Sequence, residues 1–242
     1  KNHLLDVAIK DTQIDKKIEI KNTFFIMAGG KGERLLPATK KIPKPLVNIK
    51  GSTLIENILS NAINQGFINF TISINHLGKL IKDKIGNGKK YGVNIDYISE
   101  KKPLGTAGSL SMVRKKHSDT IIISNSDVIS SIDYVKLINF HKENKAFATV
   151  ALRDYSWQNP YGIVKTKGLT IKEFIEKPIS NFKIIAGIYV LNIEALRLIR
   201  ENTYLDMPFF LNKLMKLNKK IIACPIHENT IEIGTYQDYL NF

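Results

Sequence analysis

Hydrophobic positions change their spacing several times along the chain. From Thr23 to Met27 they form a continuous apolar, β-branched and aromatic run that ends in Ala28-Gly29-Gly30, the pattern of a buried strand delivering the chain into a flexible loop. Further on, Leu54, Ile55, Ile58, Leu59, Ala62 and Ile63 recur at helical intervals until Gly66, behind a Thr53 and Glu56 with capping-box spacing, which predicts an amphipathic helix. Strands near Phe70 to Ile74, Val93 to Ile98 and Thr120 to Ser124 alternate with helical stretches around Leu77 to Ile85 and Thr106 to Lys116. Such βαβα order implies a largely parallel sheet. Beyond Asp127 the pattern predicts a helix from Tyr134 to Asn144 and strands near Ala148 to Arg153, Gly162 to Lys165, Ile171 to Glu176 and Ile184 to Val190. That second half is more strand-rich and less regular.

Nothing inside residues 23 to 242 resembles a repeat, a heptad series or a Pro- or Gly-rich linker, so this block is expected to fold as one unit. Residues 1 to 22 are charged and lack the alternation. With 43% hydrophobic and 24% charged residues and no apolar run near the ~18 residues of a membrane span, the composition predicts a soluble protein without a membrane partner. A single cysteine, Cys224, and no leader-like opening fit a reducing cytoplasm. The net charge of +14 raises the possibility of a nucleic-acid partner, because a basic face concentrates phosphates. Against that, arginine occurs only at Arg34, Arg114, Arg153, Arg197 and Arg200, and the lysines are spread over the whole chain. A nucleic-acid ligand is therefore not expected. The five histidines show no zinc spacing and are assigned no chemistry.

The stretch Ala28-Gly29-Gly30-Lys31-Gly32-Glu33-Arg34, followed by Pro43-Lys44-Pro45, carries the most chemistry. Its glycines free backbone N–H groups to approach phosphate closely. Arg34 offers a planar fork to phosphate oxygens, and Lys44 a movable point charge on a backbone stiffened by two prolines. Together they could neutralise a triphosphate. The dinucleotide fingerprint is only half met, since Leu35 stands where its third glycine belongs, and no Gly-Lys-Ser/Thr completes a Walker motif.

This signature resembles that of the sugar-phosphate nucleotidyltransferases, and later motifs occur in the family's order. The resemblance implies that Ala28, Gly29, Gly30 and Gly32 bind nucleotide, with a second nucleotide loop at Pro103-Leu104-Gly105-Thr106-Ala107-Gly108, where Gly105 and Thr106 would act. It implies a Mg²⁺ ion held by Asp127, at the end of a strand, and by Glu232, where the family usually has Asp; one hard divalent cation wants several oxygen ligands. It makes Tyr161-Gly162, Glu176-Lys177 and Ala186-Gly187 sugar-binding segments, with Glu176 accepting hydroxyl hydrogen bonds and Lys177 meeting the sugar phosphate. Ile185 departs from the Asn common before the Ala-Gly pair. The implied fold is α/β, a Rossmann-like, mixed, mostly parallel sheet flanked by helices, with a more strand-rich sugar-binding half. The subgroup most similar joins paired CBS domains to an amino-sugar guanylyltransferase of legionaminic acid biosynthesis and shares Asp206-Met207-Pro208 and Pro225-Ile226-His227-Glu228. On that resemblance, residues 1 to 22 are expected to be a linker or remnant of a CBS region.

The expected reaction is in-line attack of a sugar 1-phosphate on the α-phosphorus of a nucleoside triphosphate, catalysed by Arg34, Lys44 and Asp127 through positioning and charge neutralisation. The partners implied are GTP and a hexosamine 1-phosphate such as glucosamine 1-phosphate, with Asn75 as a base-edge contact; homo-oligomerisation is left open. Two other readings remain: a regulatory homologue that binds nucleotide without turnover, and a nucleic-acid-binding module.

Overall fold

Strand β1 (Ile20–Ala28) begins three residues before the expected Thr23 and runs through the middle of a sheet, with Phe24, Phe25 and Ile26 fully buried. The computed structural model describes residues 19–113, 118–228 and 230–241; residues 1–18 of the expected linker lie outside them. A hairpin of β2 (Asn48–Ile49) and β3 (Ser52–Thr53) leads into α1 (Leu54–Asn64), started by the predicted capping box: Glu56 N donates to Thr53 Oγ1 and Thr53 N to Glu56 Oε2. Then come β4 (Phe67–Ile74), α2 (Gly78–Ile85), β5 (Asn94–Ser99), a short α3 (Gly105–Gly108), β6 (Thr120–Asn125), β7 (Val128–Ser130) and α4 (Tyr134–Glu143). The second half supplies β8 (Ala148–Gln158), β9 (Ile163–Lys167), β10 (Thr170–Ile175), β11 (Ile179–Asn192), α5 (Met207–Lys216), β12 (Ile221–Pro225), β13 (Thr230–Glu232) and α6 (Tyr236–Leu240).

Seven of these strands form one sheet in the order β12-β8-β11-β6-β1-β4-β5. All its pairings are parallel except those of β11, which runs antiparallel to β6 and β8. The sheet is mixed and mostly parallel, as expected. Successive side chains of β1 point to opposite faces. Phe24 and Ile26 enter the core under α1, α2 and α4, while Phe25 enters a second core under α5. Phe24 meets Phe67 and Tyr134 edge-on, with ring centroids 5.4 and 4.8 Å apart, a favourable aromatic geometry. Among the described residues no helix is long and apolar enough to cross a membrane.

Two expectations need correction. The helix expected from Thr106 to Lys116 is one α-turn, Gly105–Gly108, followed by a 3₁₀ turn, Ser109–Met112; residues 114–117 lie outside the description. Gly108 shows why the segment is not an ordinary helix, because a Cβ there would stand 2.5 Å from Thr203 O. The close approach of another chain segment, not helical propensity, shapes this turn. Strands β8 and β11 also extend well past their expected ends, pairing from Leu152↔Ile185 out to Gln158↔Ile179. This part is a two-stranded ribbon outside the core, so burial does not impose a hydrophobic pattern on it.

Candidate active site

The carboxyl ends of β1, β4, β5 and β6 open onto one cavity of about 630 Å³, the place where open α/β sheets bind ligands. Its floor is the glycine-rich loop after β1. Gly32 sits at φ 69°, in the left-handed region, and a Cβ on it would stand 2.9 Å from Lys44 Cβ. Glycine is thus required both by the turn and by the packing of Lys44 against it. Thr39 Oγ1 donates to Gly32 O at 2.8 Å and closes the loop. Ala28 ends β1, buried and paired with Ile74, and places Gly29 and Gly30 in the cavity wall beside Arg34 and Lys44.

Lys44 Nζ donates to Asp127 Oδ2 at 2.6 Å, with only 12% and 14% of the two side chains exposed. The other carboxylate oxygen, Asp127 Oδ1, is buried and has no hydrogen-bond partner among the described residues. Glu232 is brought close by local pairing: it lies opposite Val128 in the β13–β7 ladder, and Ile233 N donates to Asp127 O at 3.1 Å. Beyond Glu232 stands Arg153, whose Nη2 is 3.5 Å from Glu232 Oε2. The buried Tyr189 hydroxyl is held above its usual range by burial, reinforced by the charges of Asp127 and Glu232.

The opposite wall is the second loop. Gly105, at φ 72°, leaves no room for a Cβ, which would lie 2.7 Å from Leu205 O. Thr106 bonds to two successive residues there: Asp206 Oδ1 accepts from Thr106 N at 3.2 Å, and Thr106 Oγ1 accepts from Met207 N at 2.7 Å. Asp206-Met207-Pro208 therefore fastens this loop to the start of α5. Glu100, which sequence reasoning missed, lines the same cavity. A Cβ on Gly29 would lie 2.7 Å from Glu100 Oε1, and Leu104 N donates to Glu100 Oε2 at 3.2 Å. Burial raises the Glu100 carboxyl above the usual carboxylate range despite that hydrogen bond. Its place just past the end of β5, five positions before Gly105, was the available signal. Asn75 is not in the cavity wall; its amide nitrogen donates to Glu100 O at 3.1 Å.

The residues expected to meet the sugar divide into two groups. Both Ala186 and Gly187 lie in β11: Ala186 is 3% exposed in the core, and Gly187 reaches the cavity's edge, where a Cβ would stand 2.7 Å from Asn125 Nδ2, a wall residue. Tyr161, Gly162, Glu176 and Lys177 lie beyond the cavity wall, in the two connections that join the ribbon to the β9–β10 hairpin. There Gly162 abuts Glu176, Tyr161 is 75% exposed, and Lys177 takes φ 43°.

The family model described as Nucleotidyl transferase matches residues 24–240. Among curated proteins, the chain is 34% identical over 183 residues to a mannose-1-phosphate guanyltransferase of Yarrowia lipolytica, an alignment covering 72% of this chain and 50% of that protein. It is 30% identical over 228 residues to the mannose-1-phosphate guanyltransferase of Saccharomyces cerevisiae, covering 90% of this chain and 62% of that one. The chain thus spans between one half and two thirds of the length of these relatives. Its fold is similar to the crystal structure of HddC from Yersinia pseudotuberculosis, with a TM-score of 0.72 at 23% identity, covering 91% of this chain and 97% of that one.

Proposed function

The chain belongs to the nucleotidyl transferase family, and on that premise we propose that it joins a sugar 1-phosphate to GTP, releasing pyrophosphate and a nucleotide sugar. The observation that carries this reading is the Lys44–Asp127 pair at the end of the glycine-rich loop, with Asp127 Oδ1 buried and unpartnered. A buried carboxylate oxygen is costly to leave without a partner, so its lack of one points to a cation that belongs there. Asp127 and Glu232 are hard oxygen donors and suit Mg²⁺, with the remaining positions left to phosphate oxygens. Such an ion, when bound, would supply charge neutralisation at the reacting phosphates.

This chain's own residues account for the rest. Backbone N–H groups of Gly29, Gly30 and Gly32 and the Arg34 guanidinium cradle the triphosphate. Lys44 balances charge on the α-phosphate and on the departing pyrophosphate. A sugar-phosphate oxygen forms the new bond to the α-phosphorus as the bond to the bridging oxygen of pyrophosphate breaks. The nucleophile is already anionic, so no base has to remove a proton. Tyr161, Gly162, Glu176, Ala186 and Gly187 hold the sugar, and Lys177 orients its phosphate. Guanine is selected by Glu100, whose two oxygens match the N1–H and N2–H donors of that base; Asn75 acts through Glu100, whose carbonyl it holds. Gly105 and Thr106 close the nucleotide side.

Guanine is further supported by the names of the curated relatives, which are mannose-1-phosphate guanyltransferases. For the sugar we favour a hexosamine such as glucosamine 1-phosphate, following the resemblance to the amino-sugar guanylyltransferases of legionaminic acid biosynthesis, in which Asp206-Met207-Pro208 recurs. The test is pyrophosphate release with Mg²⁺ across GTP, CTP, UTP, dTTP and ATP, against glucosamine 1-phosphate, mannose 1-phosphate and glucose 1-phosphate. Release is expected with GTP and a hexosamine 1-phosphate, falling by roughly 100-fold or more in Asp127→Ala. Tight GTP binding with no release under any pairing would instead make the chain a regulatory homologue.

A further inference from the structure

Resting on that reading, we propose that Arg153 grips the phosphate of the incoming sugar 1-phosphate, and that Glu232 holds Arg153 ready until this substrate arrives. Arg153 lies where β8 passes from the central sheet into the exposed ribbon, opposite Ile184 of β11. It lies just outside the cavity wall but touches Glu232, which lines that wall, and its side chain is 27% exposed. The contact with Glu232 is made by one guanidinium nitrogen at 3.5 Å, at the long end of hydrogen bonding. Among the described residues the other donors of the guanidinium have no hydrogen-bond partner, and a phosphate's oxygens suit its planar fork.

Charge matching points the same way. Lys44, paired with Asp127 at 2.6 Å, and Arg34, in the glycine-rich loop, are both assigned to the triphosphate. Lys177, the expected partner of the sugar phosphate, sits outside the cavity wall in the connection between β10 and β11, whereas Arg153, also outside the wall, touches the wall residue Glu232. A dianionic sugar phosphate approaching the α-phosphorus therefore meets Arg153 at Glu232, on the ribbon side of the Asp127–Glu232 pair, in addition to the Lys177 that orients it. When the phosphate takes Arg153, the Glu232 carboxylate is released to serve the divalent cation. Sugar phosphate and cation should then favour each other's binding, and such coupling is reciprocal. It also gives the glutamate a use, since its extra methylene lets one carboxylate reach either partner. A merely structural ion pair at this exposure would contribute little and would show neither effect.

The experiment uses the full chain and two readouts. In steady-state assays Arg153→Ala should raise KM for the sugar 1-phosphate roughly 10- to 100-fold while leaving KM for GTP unchanged, with Arg153→Lys recovering part of the loss. Binding of Mn²⁺, followed by the EPR signal of the free ion with α,β-methylene GTP present, should tighten in the wild-type protein when glucosamine 1-phosphate or mannose 1-phosphate is added. In Arg153→Ala the ion should bind more tightly at the outset and ignore the sugar phosphate. An unchanged KM, or weaker Mn²⁺ binding in the variant, overturns the proposal. Arg153→Met, which keeps the aliphatic stem, replaces Arg153→Ala if that protein does not fold. Absence of turnover by the wild-type protein would overturn the proposed reaction alone, because the Mn²⁺ titration judges Arg153 without it.

Discussion

One oxygen of Asp127 is held by Lys44 and the other is buried without a partner, so this carboxylate depends on its lysine in a way that an exposed pair would not. Removing either member leaves a charge in a poorly solvated place. Thermal melts of Lys44→Met, Asp127→Asn and the double variant should show that the two losses do not add, with a coupling of about 1–3 kcal/mol. Glu100 carries the opposite tension. Its folded pKa lies above its unfolded value, so between the two the folded state binds more protons, and stability falls as pH rises through that window. Glu100→Gln should therefore raise the melting temperature at pH 7 and flatten the profile above pH 4. On the proposed reading the same change should also raise KM for GTP, because one acceptor for the guanine edge becomes a donor. Stability traded for recognition is a frequent mark of functional residues. Such residues are the hardest to read from sequence: the Gly29 to Arg34 loop announces itself by composition, whereas Glu100 is one acid among many until the fold sets it against Gly29.

Helix α4 is locked to the sheet through His141, which is 1% exposed between Thr149 Oγ1 at 2.8 Å and Asn192 Oδ1 at 3.0 Å. Burial lowers its pKa. The associated stability is fully present above the unfolded value of about 6.5 and is lost as pH falls toward the folded one. Urea melts at pH 7.5 and pH 5 should show this decline, and His141→Gln should reduce it. The sequence reading assigned this histidine no chemistry, and the structure gives it a packing role. Elements whose cause is local were legible in advance: α1 with its Thr53 and Glu56 box, α4, and the βα alternation of the first half. The α3 segment was misread because its conformation is imposed by Thr203 to Met207, about 100 positions away in sequence, through Thr106 and Asp206. No period or propensity within residues 103 to 116 encodes that contact.

The molecule as a whole carries a net charge of +14 and, in this reading, takes two polyanions as substrates. Part of that charge attracts them from a distance, and salt screens such attraction over about 10 Å at 0.1 M. KM for GTP should therefore rise between 50 and 500 mM KCl while turnover changes less; a salt-sensitive gel shift with DNA, indifferent to Asp127→Ala, would instead favour a nucleic-acid role. At this scale the parallel order was legible, whereas the insertion of β11 between β6 and β8 was not, because nothing in a strand's own sequence names its neighbours. That insertion has a further consequence. One end of β11 lies in the core beside β6, which leads to Asp127, and the other runs out along the ribbon, where Tyr155, Trp157 and Phe182 are exposed. Replacing exposed residues of this kind changes stability by only about 0.5 kcal/mol. The ribbon can accumulate sequence changes that the sheet could not survive, so on the proposed reading a lineage could alter the sugar contacts made by the arm while the sheet that carries Asp127 stays as it is.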